Sequence, residues 1–481
     1  MAFFVPAYRR TLSRRIAPFF VIAAAAIPEA ARLNEQSVGQ VAGPGKFKVG
    51  HAMVQIVHTS STGQRRPIDV MVWYPASAKD WQTAIPSIYR PRLWGVTLIP
   101  GTWDPLGFQI EATLARDNVP VAKSQKAFPL VIHSHGNLLE PLLAAEICEL
   151  IASHGYIVAA PYHTRNTADD GRTNLVNRTA GRQVLGCLDG LPEPCGDANA
   201  AKNIADRVLD LRAIMDNIGS FLGDRVDSSR VAIFGHSRGG VTALAAAGGS
   251  TPYAIEPLGD RLKGVVTWSA GARDILFNVD LAAVTTPTVL IASSGDIAVP
   301  TTDARAAYAV LPSADKALFE MNNAAHLSIT SDVCAAVQSA GGIVVDNPIA
   351  FLDQRLLINR LTSVESRAYE FCNYSDFTTP TDIREQVESL SGYKITADNV
   401  PKSLSADDVV RVTTELSVSF FNVVLKGCGH FSDGGYLNPE FMLKKEPHAV
   451  LAAEATYLRS DHYTVDDGLS YRDAEREDEC K

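Results

Sequence analysis

Three runs follow one another without a spacer: Val231-Ala232-Ile233-Phe234, then Gly235-His236-Ser237-Arg238-Gly239-Gly240, then Val241-Thr242-Ala243-Leu244-Ala245-Ala246. The first reads as a buried strand bounded by glycine, and the last, rich in alanine, as a helix. A strand that enters a helix through so short a turn needs glycine on both sides of its central residue, because a side chain there would meet the opposite backbone. The context restricts the chain to layered α/β architecture. It stands Ser237 at the carboxyl end of a strand, above a helix N-terminus that favours negative charge.

The same alternation recurs along the chain. Apolar strand-like runs lie at residues 130–134, 156–161, 264–268, 288–292 and 317–321, with helical patterns to about residue 153 and over 200–218. Ile204, Val208, Leu211 and Met215 fall on one face of the second helix at helical spacing. Such alternation signals βαβ units around a parallel sheet. Ahead of it, residues 51–59 and 67–74 read as an antiparallel entry, Ile68, Val70 and Val72 alternating at the period of a strand. Residues 75–128, rich in Pro and Trp, show no sustained period and read as an insertion over one face, and 164–200 as a second insertion. The core spans 49–330. A C-terminal extension over 331–450 packs on it, with a final helix over 407–425, and 451–481 reads as a tail.

Hydrophobic residues make up 46% of the 481 and charged residues 20%, which fits a globular chain. The 53 acidic and 44 basic residues give a net charge of -9, which would repel phosphate backbones and argues against a nucleic-acid partner. Arg9, Arg10, Arg14 and Arg15 precede an apolar stretch over 16–27 and small residues at Ala24, Ala25, Ala26, Ala30 and Ala31, the layout of a signal peptide over 1–31. A secreted or periplasmic protein is expected. The stretch is too short to span a bilayer and Pro18 interrupts it, so no stable membrane span is expected. Seven cysteines fit an exported chain with one or more disulfides, Cys187 and Cys195 lying close together and Cys334, Cys372, Cys428 and Cys480 further on. Cys148, inside an apolar helical pattern, reads as a free buried thiol.

A serine hydroxyl is a weak nucleophile and needs a base held in one tautomer by a carboxylate. The run 287–292 ends in Ser293-Ser294-Gly295-Asp296, and 317–321 leads into Asn322-Asn323-Ala324-Ala325-His326. Both place a candidate at the carboxyl edge of a parallel sheet, where ligands bind. His430, in Gly427-Cys428-Gly429-His430, is the rival base, but it follows a helix rather than a sheet strand. Upstream, Phe128-Pro129-Leu130-Val131-Ile132-His133-Ser134-His135-Gly136-Asn137 ends a strand in His-Gly. By position the Asn137 N–H and the Arg238 N–H would be donors to an oxyanion. Trp268 and His236 are candidate substrate contacts. His133 and His135 share a strand face, but no further ligand cluster at metal spacing accompanies them, so no metal is expected.

With these residues in place the chain resembles the bacterial relatives of plasma platelet-activating-factor acetylhydrolase, also described as predicted dienelactone hydrolases, and more distantly cutinase-like polyester hydrolases. The resemblance rests on Arg66-Pro67-Ile68-Asp69-Val70-Met71-Val72-Trp73-Tyr74-Pro75, Ser134-His135-Gly136, His154-Gly155-Tyr156-Ile157-Val158-Ala159-Ala160-Pro161, the turn around Ser237, Gly295-Asp296 and Asn323-Ala324-Ala325-His326. It implies an α/β-hydrolase fold, with a mostly parallel central sheet, helices on both faces and long insertions. It implies Ser237 as nucleophile, His326 as base, Asp296 as orienting acid and Asn137 with Arg238 as oxyanion donors, with no metal or organic cofactor. The substrate expected is a short or medium acyl ester, small or lipid-like, with lipase, phospholipase or polyester hydrolase activity as alternatives. Dienelactone hydrolases proper use cysteine where this chain has Ser237, so that label says little about substrate. A silent α/β-hydrolase-fold binding protein and an amidase are the readings from other classes, and the oligomeric state stays open.

Overall fold

A computed structural model of the chain describes residues 43–89, 110–124, 126–137, 139–164, 166, 197–271, 276–296, 299–324, 326, 328–329, 404–428 and 435–457. Strands β1 (Lys48–Thr59) and β2 (Arg65–Ala76) form the antiparallel entry, in register from Lys48 opposite Ala76 to Thr59 opposite Arg65. β3 (Pro86–Tyr89) and β4 (Ile110–Asp117) pair antiparallel, and β4 lies parallel to β1. β5 (Phe128–Ser134), β6 (Ile157–Pro161), β7 (Val226–His236), β8 (Leu262–Trp268), β9 (Thr288–Ser293) and β10 (Lys316–Met321) make the parallel body. β11 (Val450–Thr456) closes the far edge antiparallel to β10.

All residues of β5, β6 and β9 are buried, which is why they appear in the sequence as continuous apolar runs instead of alternating ones. The sheet order is β11-β10-β9-β8-β7-β5-β6-β2-β1-β4-β3. From β5 the chain first builds β6 on one side and then β7 on the other. The carboxyl ends of β5 and β7 therefore flank the switch point of the sheet, the place at which open α/β sheets bind ligands.

Helices α1 (Ala145–Ser153), α2 (Asp197–Asn217), α3 (Arg238–Gly248), α4 (Thr301–Val310), α5 (Ala406–Lys426) and α6 (Pro439–Lys445) complete the layers. Gly264 and Val265, neighbours on β8, face opposite sides. Gly264 lies against Phe420 and Val424 of α5, whereas Val265 joins the cluster of Ile204, Leu211, Val241 and Leu244 from α2 and α3. Helices thus cover both faces of a mixed sheet, as the sequence implied. The final helix is present and capped at both ends: the Ser405 hydroxyl caps the Asp408 N–H at 3.1 Å, and Gly427 ends it at φ 68°. Cys148 is a free, buried thiol on α1. Among the described residues no helix is long and apolar enough to cross a membrane.

Two expectations need correction. Residues 75–128 are not simply an insertion over one face, since β3 and β4 extend the sheet edge. Polar anchors, which leave no hydrophobic period, hold them there. Glu149 of α1 accepts from the Tyr89 hydroxyl at 2.6 Å and from the Leu114 and Ala115 N–H groups at 2.6 and 3.3 Å. Trp73 Nε1 donates to the Tyr89 hydroxyl at 2.7 Å, and Ser87 and His51 both bond Asp117, at 2.6 and 2.8 Å. The second correction is that Val450–Thr456 is a sheet strand, so the supposed tail over 451–481 begins inside the fold. Residues 165, 167–196 and 330–403 lie outside the described residues, and with them most of the second insertion and much of the C-terminal extension.

Burial raises the Glu149 pKa to about 7 against its three hydrogen bonds. The folded carboxyl therefore holds its proton over a range where the unfolded one, at an ordinary pKa near 4.5, has lost it. The contribution of Glu149 to stability should accordingly fall as pH rises from about 5 to 7, by roughly 3 kcal/mol at most, and level off above. Denaturant midpoints across this range in the wild type and in Glu149→Gln check it: the stability of the wild type relative to the variant is expected to fall by that amount, and a constant difference would contradict it.

Candidate active site

The turn after β7 has the backbone its sequence demands. Ser237 sits at φ 54° and ψ −122°, a conformation rare for any residue with a side chain and costing about 1–3 kcal/mol. Neighbouring groups hold it there: its N–H donates to Trp268 O at 2.9 Å and its carbonyl accepts from Gly240 N at 2.9 Å. A Cβ on Gly239 would lie 1.8 Å from Ser134 O, and one on Gly235 would lie 2.3 Å from Gly239 O. The strand ends of β5 and β7 can approach so closely only because both positions are glycine.

Asp296 and His326 come together from the loops after β9 and β10. His326 Nδ1 donates to Asp296 Oδ2 at 2.7 Å, and Asp296 Oδ1 accepts the Val299 N–H at 2.8 Å. The carboxylate is buried, so the ring is fixed in orientation, and its neutral form carries the proton on Nδ1 and leaves Nε2 as acceptor. Ser293 and Ser294 staple the two loops: Ser293 Oγ donates to Ala324 O at 2.6 Å, Ser294 N–H to Met321 O at 3.0 Å, and Asn323 N–H to Ser294 Oγ at 2.9 Å. Sequence reasoning passed over these serines, whose only signal was their place beside Gly295-Asp296.

His236 and Trp268 do something other than expected. His236 Nε2 donates to His326 O at 3.0 Å, and Trp268 Nε1 donates to the same oxygen at 3.1 Å. Trp268 is 0% exposed and His236 2%, so neither ring has a face to offer a substrate. They hold the backbone that carries His326. The His236 ring lies 4.9 Å from the His326 ring, centroid to centroid, so the turn that carries Ser237 and the loop that carries His326 meet through His236. Burial, then the neighbouring His326, press the His236 pKa well below the ordinary value, so it stays neutral.

Arg238 is buried as the first residue of α3, and Asn137 follows the end of β5, its side-chain oxygen accepting from Asn166 Nδ2 at 2.7 Å. His133 Nδ1 donates to Phe234 O at 3.2 Å, and burial lowers its pKa to about 4. The rival His430 lies outside the described residues.

A polar network that the sequence did not announce underlies this edge. Asp210 of α2, fully buried, accepts Arg66 Nε and Nη2 at 2.6 and 2.7 Å, His58 Nε2 at 2.6 Å and His163 Nδ1 at 2.8 Å. Burial would raise its pKa, yet the hydrogen bonds from Arg66, His163 and His58 hold it well below the usual range. His163 in turn accepts from Ser134 Oγ at 3.0 Å, and its N–H donates to His135 Nε2 at 3.2 Å. Arg207, also fully buried, reaches the carbonyls of His135 and Gly136. One signal was available: Arg207 lies on the stripe of Ile204, Val208 and Leu211, where charge is out of place. Each of those apolar side chains contributes roughly 2 kcal/mol by burial, which helps to offset the cost of the charges among them.

Two family models match parts of the chain. The platelet-activating factor acetylhydrolase, isoform II, model matches residues 33–179, and the PET hydrolase-like model matches residues 194–343. A platelet-activating factor acetylhydrolase from Cavia porcellus is 25% identical over 233 residues, which cover 42% of this chain and 50% of that protein. The chain thus spans about half the length of this relative. A solved ferulic acid esterase from Streptomyces cinnamoneus superposes with a TM-score of 0.44 at 18% identity, covering 80% of this chain and 93% of that one. The sheet topology and the two matched models together identify the chain as an α/β-hydrolase-fold protein that resembles platelet-activating factor acetylhydrolases and polyester hydrolases.

Proposed function

We propose that the chain is a serine carboxylic ester hydrolase that works through an acyl-enzyme. The observation that carries this reading is the 2.7 Å bond between His326 Nδ1 and Asp296 Oδ2 at the same sheet edge as the strained Ser237. In the first step Ser237 Oγ attacks the ester carbonyl carbon while its proton passes to His326 Nε2. The oxyanion takes hydrogen bonds from the backbone N–H groups of Asn137 and Arg238, where α3 begins and its dipole adds positive potential. Collapse breaks the ester C–O bond, and the alcohol leaves with the proton from His326. Water then attacks the acyl-Ser237, gives its proton to the same nitrogen, and the acid departs with Ser237 restored. Asp296 keeps the imidazole oriented and stabilises its protonated form.

The relatives favour a small ester as substrate, since the matched families are named for an acetylhydrolase and a polyester hydrolase. They leave the alcohol side open between a phospholipid-like molecule and a polyester. No step requires a metal or an organic cofactor. The reading includes export through the N-terminal 31 residues to the periplasm or medium. It also includes at least one disulfide, supported by the seven cysteines of a chain with an export-like leader.

A substrate panel tests the proposal. p-Nitrophenyl acetate and butyrate should be turned over at least about 100-fold faster than the matching p-nitroanilides, because p-nitrophenolate leaves more readily than p-nitroanilide. Comparable rates on both would favour an amidase, and no turnover of either would favour a binding protein.

A further inference from the structure

Beneath the loop that follows β5 lies a buried cation whose ligands are backbone oxygens. Arg207 is 0% exposed, and among the described residues no carboxylate stands within ion-pair distance of it. Its Nη1 donates to His135 O at 3.0 Å, and its Nη2 donates to the same oxygen and to Gly136 O at 3.3 Å. Gly136 O has a second donor. His135 Nε2 accepts the His163 N–H at 3.2 Å, so in the neutral ring Nδ1 carries the proton, and Nδ1 bonds Gly136 O at 2.7 Å.

We propose that Arg207 is a positioning residue of the oxyanion site, aiming and polarising the Asn137 N–H through the carbonyls of His135 and Gly136. The proposal rests on the ester-hydrolase reading above. In a planar trans peptide the C=O and the following N–H point to opposite sides. With Gly136 O pinned toward Arg207 and His135, the Asn137 N–H is directed away from them. Gly136 also borders the nucleophile, its Cβ position lying 3.2 Å from Ser237 Cβ. Two neutral donors would satisfy these carbonyls equally well as structure. A guanidinium adds a positive charge behind the peptide dipole, and in a water-poor site that charge makes the opposite N–H a stronger donor to a developing oxyanion. The Asp210 cluster supports the arrangement at one remove: it fixes His163, which fixes the His135 tautomer.

The test separates stabilisation of the tetrahedral state from binding of the ground state. For wild type, Arg207→Met and Arg207→Lys, kcat and KM for p-nitrophenyl butyrate are measured, together with the Kd of an aryl trifluoromethyl ketone and the melting temperature. The ketone forms a tetrahedral adduct with the serine. In Arg207→Met, kcat and ketone affinity should both fall about 30-fold or more, with KM within about 3-fold. In Arg207→Lys, which keeps the charge but loses the forked donors, both should fall about 10-fold. A KM increase at unchanged kcat, or ketone affinity within about 3-fold of wild type in either folded variant, would overturn the proposal. If Arg207→Met does not fold, Arg207→Lys decides. A wild-type protein that fails to bind the ketone would overturn the ester-hydrolase reading itself, and this proposal with it.

Discussion

Ser237→Ala is expected to lower kcat for p-nitrophenyl butyrate by at least about 10⁴-fold while the protein stays folded. The effect on chemistry follows from the loss of the hydroxyl that the proposed mechanism uses to form the acyl-enzyme. Little stability should be lost, because the contacts that hold residue 237 are made by its backbone: N–H to Trp268 O and carbonyl to Gly240 N–H, each at 2.9 Å. Alanine pays the same penalty for φ 54° as serine does. The melting temperature should therefore move by no more than about 3 °C. Steady-state rates together with thermal unfolding check both halves, and a variant that keeps even a hundredth of wild-type kcat would point to another nucleophile.

Replacing His326 by alanine should cost about as much, because triad members act as a unit. Asp296→Asn is the sharper change. Asp296 Oδ1 accepts the Val299 N–H at 2.8 Å and Oδ2 faces His326 Nδ1 at 2.7 Å. An asparagine would keep its oxygen on Val299 and present its amide N–H to the ring. The imidazole would then carry its proton on Nε2 and could not accept one from Ser237. A loss of about 10³- to 10⁴-fold in kcat is expected with the geometry intact. His430→Ala should leave kcat within about 3-fold. The opposite pattern, with His430 essential and His326 dispensable, would overturn the assignment of the base.

The centre of the fold was legible because its determinants are local. Strand, glycine-flanked serine and alanine-rich helix stand contiguously in the chain, and the clash of a Cβ at Gly239 with Ser134 O shows why no other residue fits. Asp296 and His326 were legible because each follows a largely apolar strand, and parallel strands deliver their following loops to one edge. β3 and β4 escaped notice because hydrogen bonds accepted by Glu149 and Asp117, not an apolar stripe, fasten them. β11 escaped because an edge strand buried mainly at Val450 carries little pattern. Trp268 shows a different limit. Its place at the end of a strand was read correctly, and the structure sets it opposite His236 in register, but a strand end leaves open whether the ring faces the crevice or the core. Arg207 stood in the sequence as a misplaced charge on a helix face. Only the structure shows that its partners are the carbonyls of the loop after β5.

The central claim is that Ser237 is the atom source for a covalent intermediate, and the most direct measurement is where a fluorophosphonate attaches. Intact mass followed by peptide mapping should find one adduct, on Ser237, whose formation slows by orders of magnitude in His326→Ala. An adduct on a different residue, or a wild-type protein left unlabelled after prolonged exposure, would contradict the account.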